Sequence, residues 1–500
     1  MNPVRPSLNI KLAILTATSM ALFSEGVVAQ IHTGAGPKLR AVHKVATGLQ
    51  AKHRALMDSN GRITAVTGTI DELAALAQDP TVQAVELASP LRPVLAQDLD
   101  TLGIPANRSE RSQGQGQGVV IGFVDTGIDW SHEGFLSDDG TTRISWIMDL
   151  SIPPREDTTP ETTSFPGSVW SGEEIDRARA LEIVIDSSDN AGHGTHAAGI
   201  ATARGFQTSL GADGVAPGAD IVAVRASRYD DLYLEDADVL EGVDFVLERA
   251  EEMGKPVVVN LSVSGHAGPH DGSSLFERAL SERFSHRPGR ILVTAAGNDG
   301  DKSVHASGRL EPESQTQIPV FIDPMPRQGR PPGYAFVEIW YNLDDNRGLS
   351  RSAVTVWVEG PGGRALSPAR LDQSVRDLSP QSGVLAISHT QAQLDLAQIV
   401  LFLQEPEDDE LPRGTYAIHI DGGSGRFDGW VTRQGSLRAR FDDHLDPNTR
   451  IGVPATAIGA IAVGAYDTMD TPATFSATGP TRDGRARPDL LAPGVDIAST

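Results

Sequence analysis

The 500-residue chain contains no cysteine. Disulfide bonds, cysteine metal sites and a thiol protease mechanism are therefore excluded. The sequence also lacks any uninterrupted run of eighteen apolar residues, which is about the length that a membrane-spanning helix requires. Five hundred residues without a spanning segment predict a globular protein of two or three domains.

Basic residues are in the minority, with 42 Lys and Arg against 66 Asp and Glu, a net charge of -24 and a pI of about 4.9. This balance argues against nucleic acid as a partner, because phosphate binding needs clustered Lys and Arg. The simplest interpretation of the acidity is solubility. A second is calcium binding at acidic loops such as 344–346 or 442–443, although no EF-hand spacing occurs. We expect no required cofactor, leave structural calcium open and assign no metal ligand.

The N-terminus has the pattern of a secretory signal peptide over residues 1–29. Arg5 and Lys11 precede a short apolar run, Leu12–Phe23, and the small residues before Gln30 offer a cleavage site. We therefore expect a mature protein that is secreted or periplasmic and has no membrane span.

Residues 30–112 are predicted to form a small α+β unit followed by a linker. Ile63–Thr69 and Thr81–Ala88 read as strands, and the intervening segment from Asp71 reads as a helix with an acidic first turn. The Gly-rich stretch Ser112–Gly118 marks a flexible boundary.

The next region alternates buried-type strands with helical patterns. Apolar runs occur at Val119–Val124, Ile221–Val224, Pro256–Leu261 and Ile291–Ala295. A helix is predicted over Val239–Ala250. Such alternation favours an α/β fold with a mostly parallel sheet flanked by helices.

Between residues 305 and 445 the pattern changes to period two, as around Val354–Val358 and Tyr416–Ile420. This predicts an antiparallel β-sandwich inserted into the α/β domain. The α/β domain is then split into residues 113–304 and an incomplete second part, 446–500.

Three short runs carry groups suited to amide hydrolysis. Val124–Asp129 holds Asp125 at the end of a predicted strand, and Gly192–His196 places His193 at the start of a small-residue helix. Ala295–Asn298 places Asn298 after another strand. Taken alone, Asp125 could cap a turn and Asn298 could belong to a Gly-Asn-Asp-Gly turn. His196 is predicted to have a structural role.

Together, in this order, the runs resemble those of the subtilisin-like serine proteases, whose triad order is Asp, His, Ser. The resemblance implies that Asp125 orients His193, that His193 acts as the base, and that the Asn298 amide stabilises the oxyanion. It also implies a substrate strand at Ser262, Val263, Ser264 and Gly265, with Ala296 and Gly297 lining the substrate site. The N-terminal unit then resembles an inhibitory propeptide, the alternative being an accessory domain.

The segment Pro488–Gly494 is similar to the one that precedes the nucleophilic serine in that family. The serine itself is expected beyond Thr500. We therefore expect a secreted serine endopeptidase acting on protein or peptide substrates, with the 500-residue chain inactive by itself.

Two other interpretations remain. Asp125–Gly127 is also the signature of aspartic proteases, but no second Asp-Thr-Gly or Asp-Ser-Gly occurs, so that mechanism would require a dimer. A catalytically dead homologue or binding protein, acting through the β-rich insertion, is the non-enzymatic alternative.

Overall fold

The computed structural model describes residues 39–40, 52–93, 114–155, 165–204, 213–228, 233–325, 333–343, 354–379, 383–393, 395–406, 409–434, 437–467, 471–495, 497 and 499. The predicted signal peptide and the Asp-rich loop 344–346 lie outside these residues. The chain divides into two compact units. One comprises Met1–Ala88, His266–Pro269 and Lys302–Thr449, and the other comprises Ser89–Gly265, His270–Asp301 and Arg450–Thr500.

The strands are, in chain order, β1 (Leu39–Arg40), β2 (His53–Ser59), β3 (Arg62–Gly68), β4 (Val82–Leu87), β5 (Pro90–Pro93), β6 (Val120–Asp125), β7 (Ile144–Asp149), β8 (Ser168–Ser171), β9 (Asp220–Arg225), β10 (Leu234–Glu235), β11 (Val257–Leu261), β12 (Val263–Ser264), β13 (Arg290–Ala295), β14 (His305–Leu310), β15 (Gln315–Pro324), β16 (Tyr334–Asn342), β17 (Thr355–Glu359), β18 (Ala369–Arg370), β19 (Gln373–Ser379), β20 (Gly383–Gln393), β21 (Leu396–Gln404), β22 (Gly414–Asp421), β23 (Gly425–Gln434), β24 (Leu437–Phe441), β25 (Ala460–Tyr466) and β26 (Leu490–Pro493). The α-helices are α1 (Ile70–Leu76), α2 (Gly172–Arg179), α3 (His193–Thr202), α4 (Asp236–Glu252) and α5 (Leu275–Phe284), and short 3-10 helices cover Glu133–Phe135 and Pro361–Gly363.

The N-terminal α+β element is a four-stranded sheet in the order β1-β4-β2-β3 with α1 between β3 and β4 in sequence. Thr69 and Glu72 form a reciprocal capping box at the start of α1, which explains why the helix begins there. Leu73 of α1 and Val85 of β4 are fully buried in the element's core. Strands β3 and β4 and helix α1 lie within a residue or two of the predicted segments, whereas β1 and β2 were not predicted from the sequence.

The other unit is built on an eight-stranded sheet in the order β26-β25-β13-β11-β6-β9-β7-β8. Every neighbouring pair is parallel except β7 and β8. Helix α4 packs on β6 so closely that a Cβ at Gly122 would lie 2.2 Å from Val246. This sheet places the carboxyl ends of β6, β11 and β13 on one edge, which is where open α/β sheets hold their sites.

Strand β13 differs from the sequence prediction. The run Ile291–Ala295 was expected to be buried on both faces, but Ile291 is 45% exposed. Its alternate residues Val293 and Ala295 line a cavity, so one face of the strand opens onto a recess rather than onto a packed layer.

Strands β14 to β24 form two antiparallel sheets in the orders β14-β23-β16-β21-β20-β19 and β18-β17-β22-β15-β24. Side chains from both sheets share one hydrophobic core. The alternating residues Val356, Val358, Ile418 and Ile420 point into this core and are fully buried. The period-two pattern therefore marks the inward face of a sandwich.

No helix within the described part of the chain combines the length and the apolar character needed to cross a membrane.

Candidate active site

Asp125 is the last residue of β6, in the middle of the parallel sheet. Its side chain is fully buried, and Oδ1 accepts a hydrogen bond of 2.7 Å from the main-chain N–H of Thr126. The main-chain carbonyl of Asp125 accepts from Ala226, which continues the pairing with β9. The sheet thus holds the carboxylate rigidly at the edge where the parallel strands end.

His193 is the first residue of α3 and follows Gly192, whose φ of 74° turns the chain into the helix. Its Nδ1 lies 2.7 Å from Oδ1 of Asp125. An ionised carboxylate only accepts hydrogen bonds, so Nδ1 carries the proton and Nε2 is the free ring nitrogen. Nε2 is buried and finds no hydrogen-bond partner among the described residues.

The loop after Asp125 and the start of α3 touch through their backbones. A Cβ at Gly194 would lie 2.1 Å from the carbonyl oxygen of Gly127 and 3.1 Å from the Cβ of Asp125. Gly127 itself has a φ of +129°. Only glycine allows this approach, and the approach brings the carboxylate within reach of the imidazole.

A hydrogen-bond network that was not predicted from the sequence surrounds this pair. The Asp189 carboxylate accepts hydrogen bonds from the Thr126 hydroxyl, from Gly192 N, and from both N and Oγ1 of Thr195. In the sequence, only the position of Asp189 four residues before His193 could have pointed to this network.

Asn298 lies beyond the end of β13 on the same sheet edge and is exposed. It lines a cavity of about 140 Å³ together with Asn260, Ser262 and Gly297. Asn260, which no sequence motif singled out, donates a 2.9 Å hydrogen bond to Ser262 Oγ. The lining contains neither Asp125 nor His193, and no hydrogen bond joins Asn298 to either of them among the described residues.

The residues predicted to bind substrate fall into different environments. Val263 and Ser264 form β12, whereas the main-chain N–H and C=O of Gly265 are both bonded to Val453. Ser264 Oγ packs where Cβ atoms at Gly297 and Gly452 would be, at 2.8 and 1.9 Å, so this hydroxyl points into the protein.

Ala296 is also turned inward. It is buried in a small core cluster with Ile451, Ala455 and Ala462, and its N–H and C=O bond to Val463 and Gly452. Gly265 and Ala296 therefore have no free backbone groups for a substrate strand. Two kinds of group are left as candidates for substrate binding. One is the main chain of Val263 and Ser264, and the other is the cavity lining at Ser262 and Gly297.

Strand β5 pairs with β12, which contains two of the residues predicted to bind substrate. It lies between β10 and β12 and is antiparallel to both, with Arg92 opposite Ser264 and Leu91 opposite Leu234. Leu91 is 2% exposed. The segment is anchored just before the strand, where Ser89 N donates to the Asp236 carboxylate and Asp236 N donates to the Ser89 carbonyl.

His196 lies one turn after His193. Burial lowers the pKa of His196 from its ordinary value of 6.5, because the imidazolium form is disfavoured away from water. Its Nε2 is 3.2 Å from the Ile497 carbonyl, and Ser499 Oγ donates to the His196 carbonyl. These contacts join Ile497 and Ser499 to α3, in agreement with a structural role for His196.

Within the described residues, no three His, Asp or Glu side chains converge into a metal site. The two acidic side chains at 442–443 have protein partners: Asp442 forms an ion pair with Arg440, and Asp443 accepts a hydrogen bond from His444 N.

Comparison with known protein families decides the classification. The sequence profile of the subtilase family, peptidase S8, matches residues 116–319 and 442–500, which together make up more than half of the chain. The chain belongs to the subtilase family. The resemblance predicted from the motifs is thereby confirmed, and the matched segments contain Asp125, His193 and Asn298.

Among solved structures, this subtilase is similar to the Clostridium perfringens CspB protease, with 28% identity and a TM-score of 0.62 over 77% of this chain and 78% of that one. Curated relatives include subtilisin-like protease 1 of Trichophyton verrucosum, 25% identical over 39% of this chain and 37% of its own length. Subtilisin of Bacillus sp. strain TA39 is 35% identical over 23% of this chain and 25% of its own length. The matched region of the chain thus spans well under half of these curated relatives.

Proposed function

We propose that this subtilase is an exported serine endopeptidase that hydrolyses peptide bonds with an Asp125–His193–Ser triad. The observation that carries the proposal is the 2.7 Å contact between Asp125 Oδ1 and His193 Nδ1, with Nε2 left without a hydrogen-bond partner among the described residues. A base held in this tautomer can accept a proton only at Nε2. The proposed nucleophile is a serine outside residues 1–500.

The roles follow from this geometry. The serine hydroxyl loses its proton to His193 Nε2 as its oxygen attacks the carbonyl carbon of the substrate. The buried Asp125 carboxylate stabilises the imidazolium that forms, and His193 then returns the proton to the departing amine. In the second half of the reaction, water loses a proton to His193 as its oxygen attacks the acyl carbon. His193 then returns the proton to the serine oxygen as the acyl group leaves, so the serine is regenerated.

Asn298 is proposed to donate its amide to the oxyanion of the tetrahedral intermediate. Its exposed position at the carboxyl edge of the sheet supports this role, as does its place in the cavity lining. In subtilisin itself, the loss of such a side-chain donor removes roughly 2.7–4 kcal/mol of transition-state stabilisation. A loss of similar size is expected for Asn298→Ala.

Protein or peptide substrates are proposed to bind as a strand between β10 and β12, where β5 now pairs. Main-chain hydrogen bonds then supply affinity without demanding a particular side chain. Since β5 belongs to the N-terminal segment, we propose that this segment is an intramolecular inhibitor and that the enzyme matures when β5 is displaced. The proposed steps require neither a cofactor nor a metal, and structural calcium remains compatible with them.

The deciding experiment uses the protein expressed from its complete gene and a chromogenic tetrapeptide anilide. We expect hydrolysis that is abolished by a serine-directed acylating agent and by His193→Ala. Residues 1–500 alone should not hydrolyse the anilide. A complete protein that binds peptides but leaves them intact would instead support a dead homologue acting through the sandwich.

Export is proposed from the sequence pattern of residues 1–29. N-terminal sequencing of protein recovered outside the cytoplasm tests it, with Gln30 or a later residue expected as the first. Recovery of the protein only in the cytoplasm with Met1 intact would contradict it.

A further inference from the structure

We propose that Asp189 is a positioning residue that locks the Asp125 loop and the His193 helix into register. It does not reach the reacting atoms, and its effect passes through Thr126, Thr195 and the backbone of α3. The inference rests on the catalytic roles proposed above and adds a residue that those roles do not include.

Four hydrogen bonds converge on this one carboxylate. Oδ1 accepts from Thr126 Oγ1 at 2.8 Å and from Gly192 N at 2.9 Å. Oδ2 accepts from Thr195 N at 2.8 Å and from Thr195 Oγ1 at 2.7 Å. Both oxygens are thus used, and they divide their partners between the residue after Asp125 and the residues on either side of His193.

The network closes through the two threonines. Thr126 Oγ1 accepts a 3.0 Å hydrogen bond from Gly194 N, and Thr195 Oγ1 accepts a 2.8 Å bond from Asp129 N. Each hydroxyl therefore donates to Asp189 and accepts from the opposite element. Both threonines are nearly inaccessible to solvent, at 1% and 7%, so water cannot readily replace these bonds.

Helix α3 needs an external acceptor for the N–H groups of its first turn, because its N-cap residue has no side chain to supply one. Gly192 at the N-cap position has no side chain to accept from the first turn, and the orphan N–H groups of a helix start must be satisfied elsewhere. Asp189 performs this function from three residues upstream, and its negative charge suits the positive end of the helix dipole. Unlike a local cap, it also binds the loop that carries the triad carboxylate.

The consequence for catalysis is geometric. Asp125 and His193 belong to separate elements, a strand end and a helix start, and their alignment depends on the relative position of those elements. A carboxylate that bonds to both elements removes that freedom. Loss of it should let α3 shift or rotate, which lengthens the contact between Nδ1 and Oδ1 and misdirects Nε2.

The first measurement uses the 500-residue chain and needs no activity. A hydrogen-bonded imidazole N–H beside a buried carboxylate gives a far-downfield proton resonance, assigned to His193 by its loss in His193→Ala. We expect Asp189→Asn, which is isosteric but cannot accept all four bonds, to broaden or abolish this resonance. The matched control is Asp186→Asn, an exposed carboxylate three residues earlier, which should leave the resonance unchanged.

The second measurement uses the complete enzyme. Asp189→Asn should lower kcat about 10- to 100-fold with KM changed less than about twofold, because misplacement near the chemistry costs rate more than binding. Thr126→Val should reproduce the loss and Thr126→Ser should restore most of the rate, since only the serine variant keeps the bridging hydroxyl.

An unchanged resonance in Asp189→Asn, with kcat within about twofold of wild type, would overturn the inference. If the complete wild-type enzyme proves inactive, the proposed function fails while the resonance still decides the positioning role. If Asp189→Asn does not fold, the Thr126→Val and Thr126→Ser pair decides, because it leaves the carboxylate in place.

Discussion

The Oδ1 atom of Asp125 lies 2.7 Å from Nδ1 of His193, although 68 residues separate them in the sequence. The carboxylate is fully buried and its Oδ2 has no hydrogen-bond partner among the described residues. The imidazole is therefore its main polar neighbour besides the Thr126 N–H, and the proposed role of the pair depends on which ring nitrogen carries the proton.

The first prediction concerns that proton. Asp125→Asn should lower kcat of the complete enzyme by about 10⁴-fold, as the equivalent change does in trypsin-type serine proteases, because an amide nitrogen favours the wrong imidazole tautomer. The measurement is steady-state hydrolysis of the tetrapeptide anilide. Asp129→Asn is the control, since that carboxylate is exposed and, among the described residues, bonds only within its own turn, to Ser131. A loss of less than about tenfold in Asp125→Asn would contradict the proposed role.

The second prediction concerns β5, the strand that lies where we propose that substrate binds. Leu91→Asp should weaken the pairing of β5 with β10 and β12, because Leu91 is 2% exposed and burial of a leucine is worth about 1.5–3 kcal/mol. Added in trans, a fragment covering residues 52–93 should inhibit the matured enzyme, and the Leu91→Asp fragment should inhibit roughly 10- to 100-fold less well.

The matched control for this fragment is Leu76→Asp, since Leu76 is an exposed leucine of α1 in the same N-terminal element. Its inhibition constant should equal that of the unaltered fragment. Equal inhibition by all three fragments would show that β5 does not act as a substrate mimic.

The sequence was sufficient to place the parts that obey a repeating pattern. Parallel strands end on a common edge, so the buried runs before Asp125 and Asn298 predicted that both residues would lie on that edge. Period-two alternation around Val356 and Ile418 likewise predicted the inward face of a sandwich, because each strand alternates faces.

Other features depend on packing that no local pattern records. Gly265 and Ala296 stand inside the family-like runs, yet their backbone groups are taken by Val453, Val463 and Gly452. Strand β5 begins and ends with proline. In the sequence, this pattern indicates a turn rather than a strand that pairs with neighbours on both sides. In the sequence, Asp189 looks like an ordinary acidic loop residue, because its hydrogen-bond partners come together only when α3 packs against the Asp125 loop.

The third prediction concerns Glu277, which is fully buried in α5 and bonded to Thr456 and Ser274. Burial raises the pKa of Glu277 from 4.5 to about 7. Between these values the folded state binds more protons than the unfolded state. The stabilisation from the protonated carboxyl is therefore complete below pH 4.5 and is lost as the pH rises through 7, by roughly 3 kcal/mol in total.

Hydrogen exchange measured on peptides from α5 tests this dependence. Protection should fall between about pH 5 and pH 8 in wild type, after correction for intrinsic exchange, and should change much less in Glu277→Gln. Glu282→Gln, an exposed position on the same helix, should behave as wild type. The same pH dependence in Glu277→Gln as in wild type would assign it to another group.

The fourth prediction concerns a polar pair inside the sandwich. The Tyr341 hydroxyl lies 2.6 Å from His389 Nε2, and both residues are essentially inaccessible to solvent. Burial lowers the pKa of His389 to about 4, so the imidazole is neutral at pH 7 and its Nε2 can accept a hydrogen bond from the Tyr341 hydroxyl. Tyr341→Phe leaves a buried ring nitrogen without this partner and should destabilise the sandwich by about 1–3 kcal/mol.

Removing both polar groups separates this cause from a simple loss of packing. The double variant Tyr341→Phe with His389→Leu should recover much of the stability lost in Tyr341→Phe, because an apolar pair leaves nothing unsatisfied. Exchange protection of peptides from β16 and β20 at pH 7 measures each variant. A double variant whose loss equals the sum of the two single losses would mean that the hydroxyl and the imidazole contribute independently, and that the hydrogen bond between them adds nothing to the stability of the sandwich.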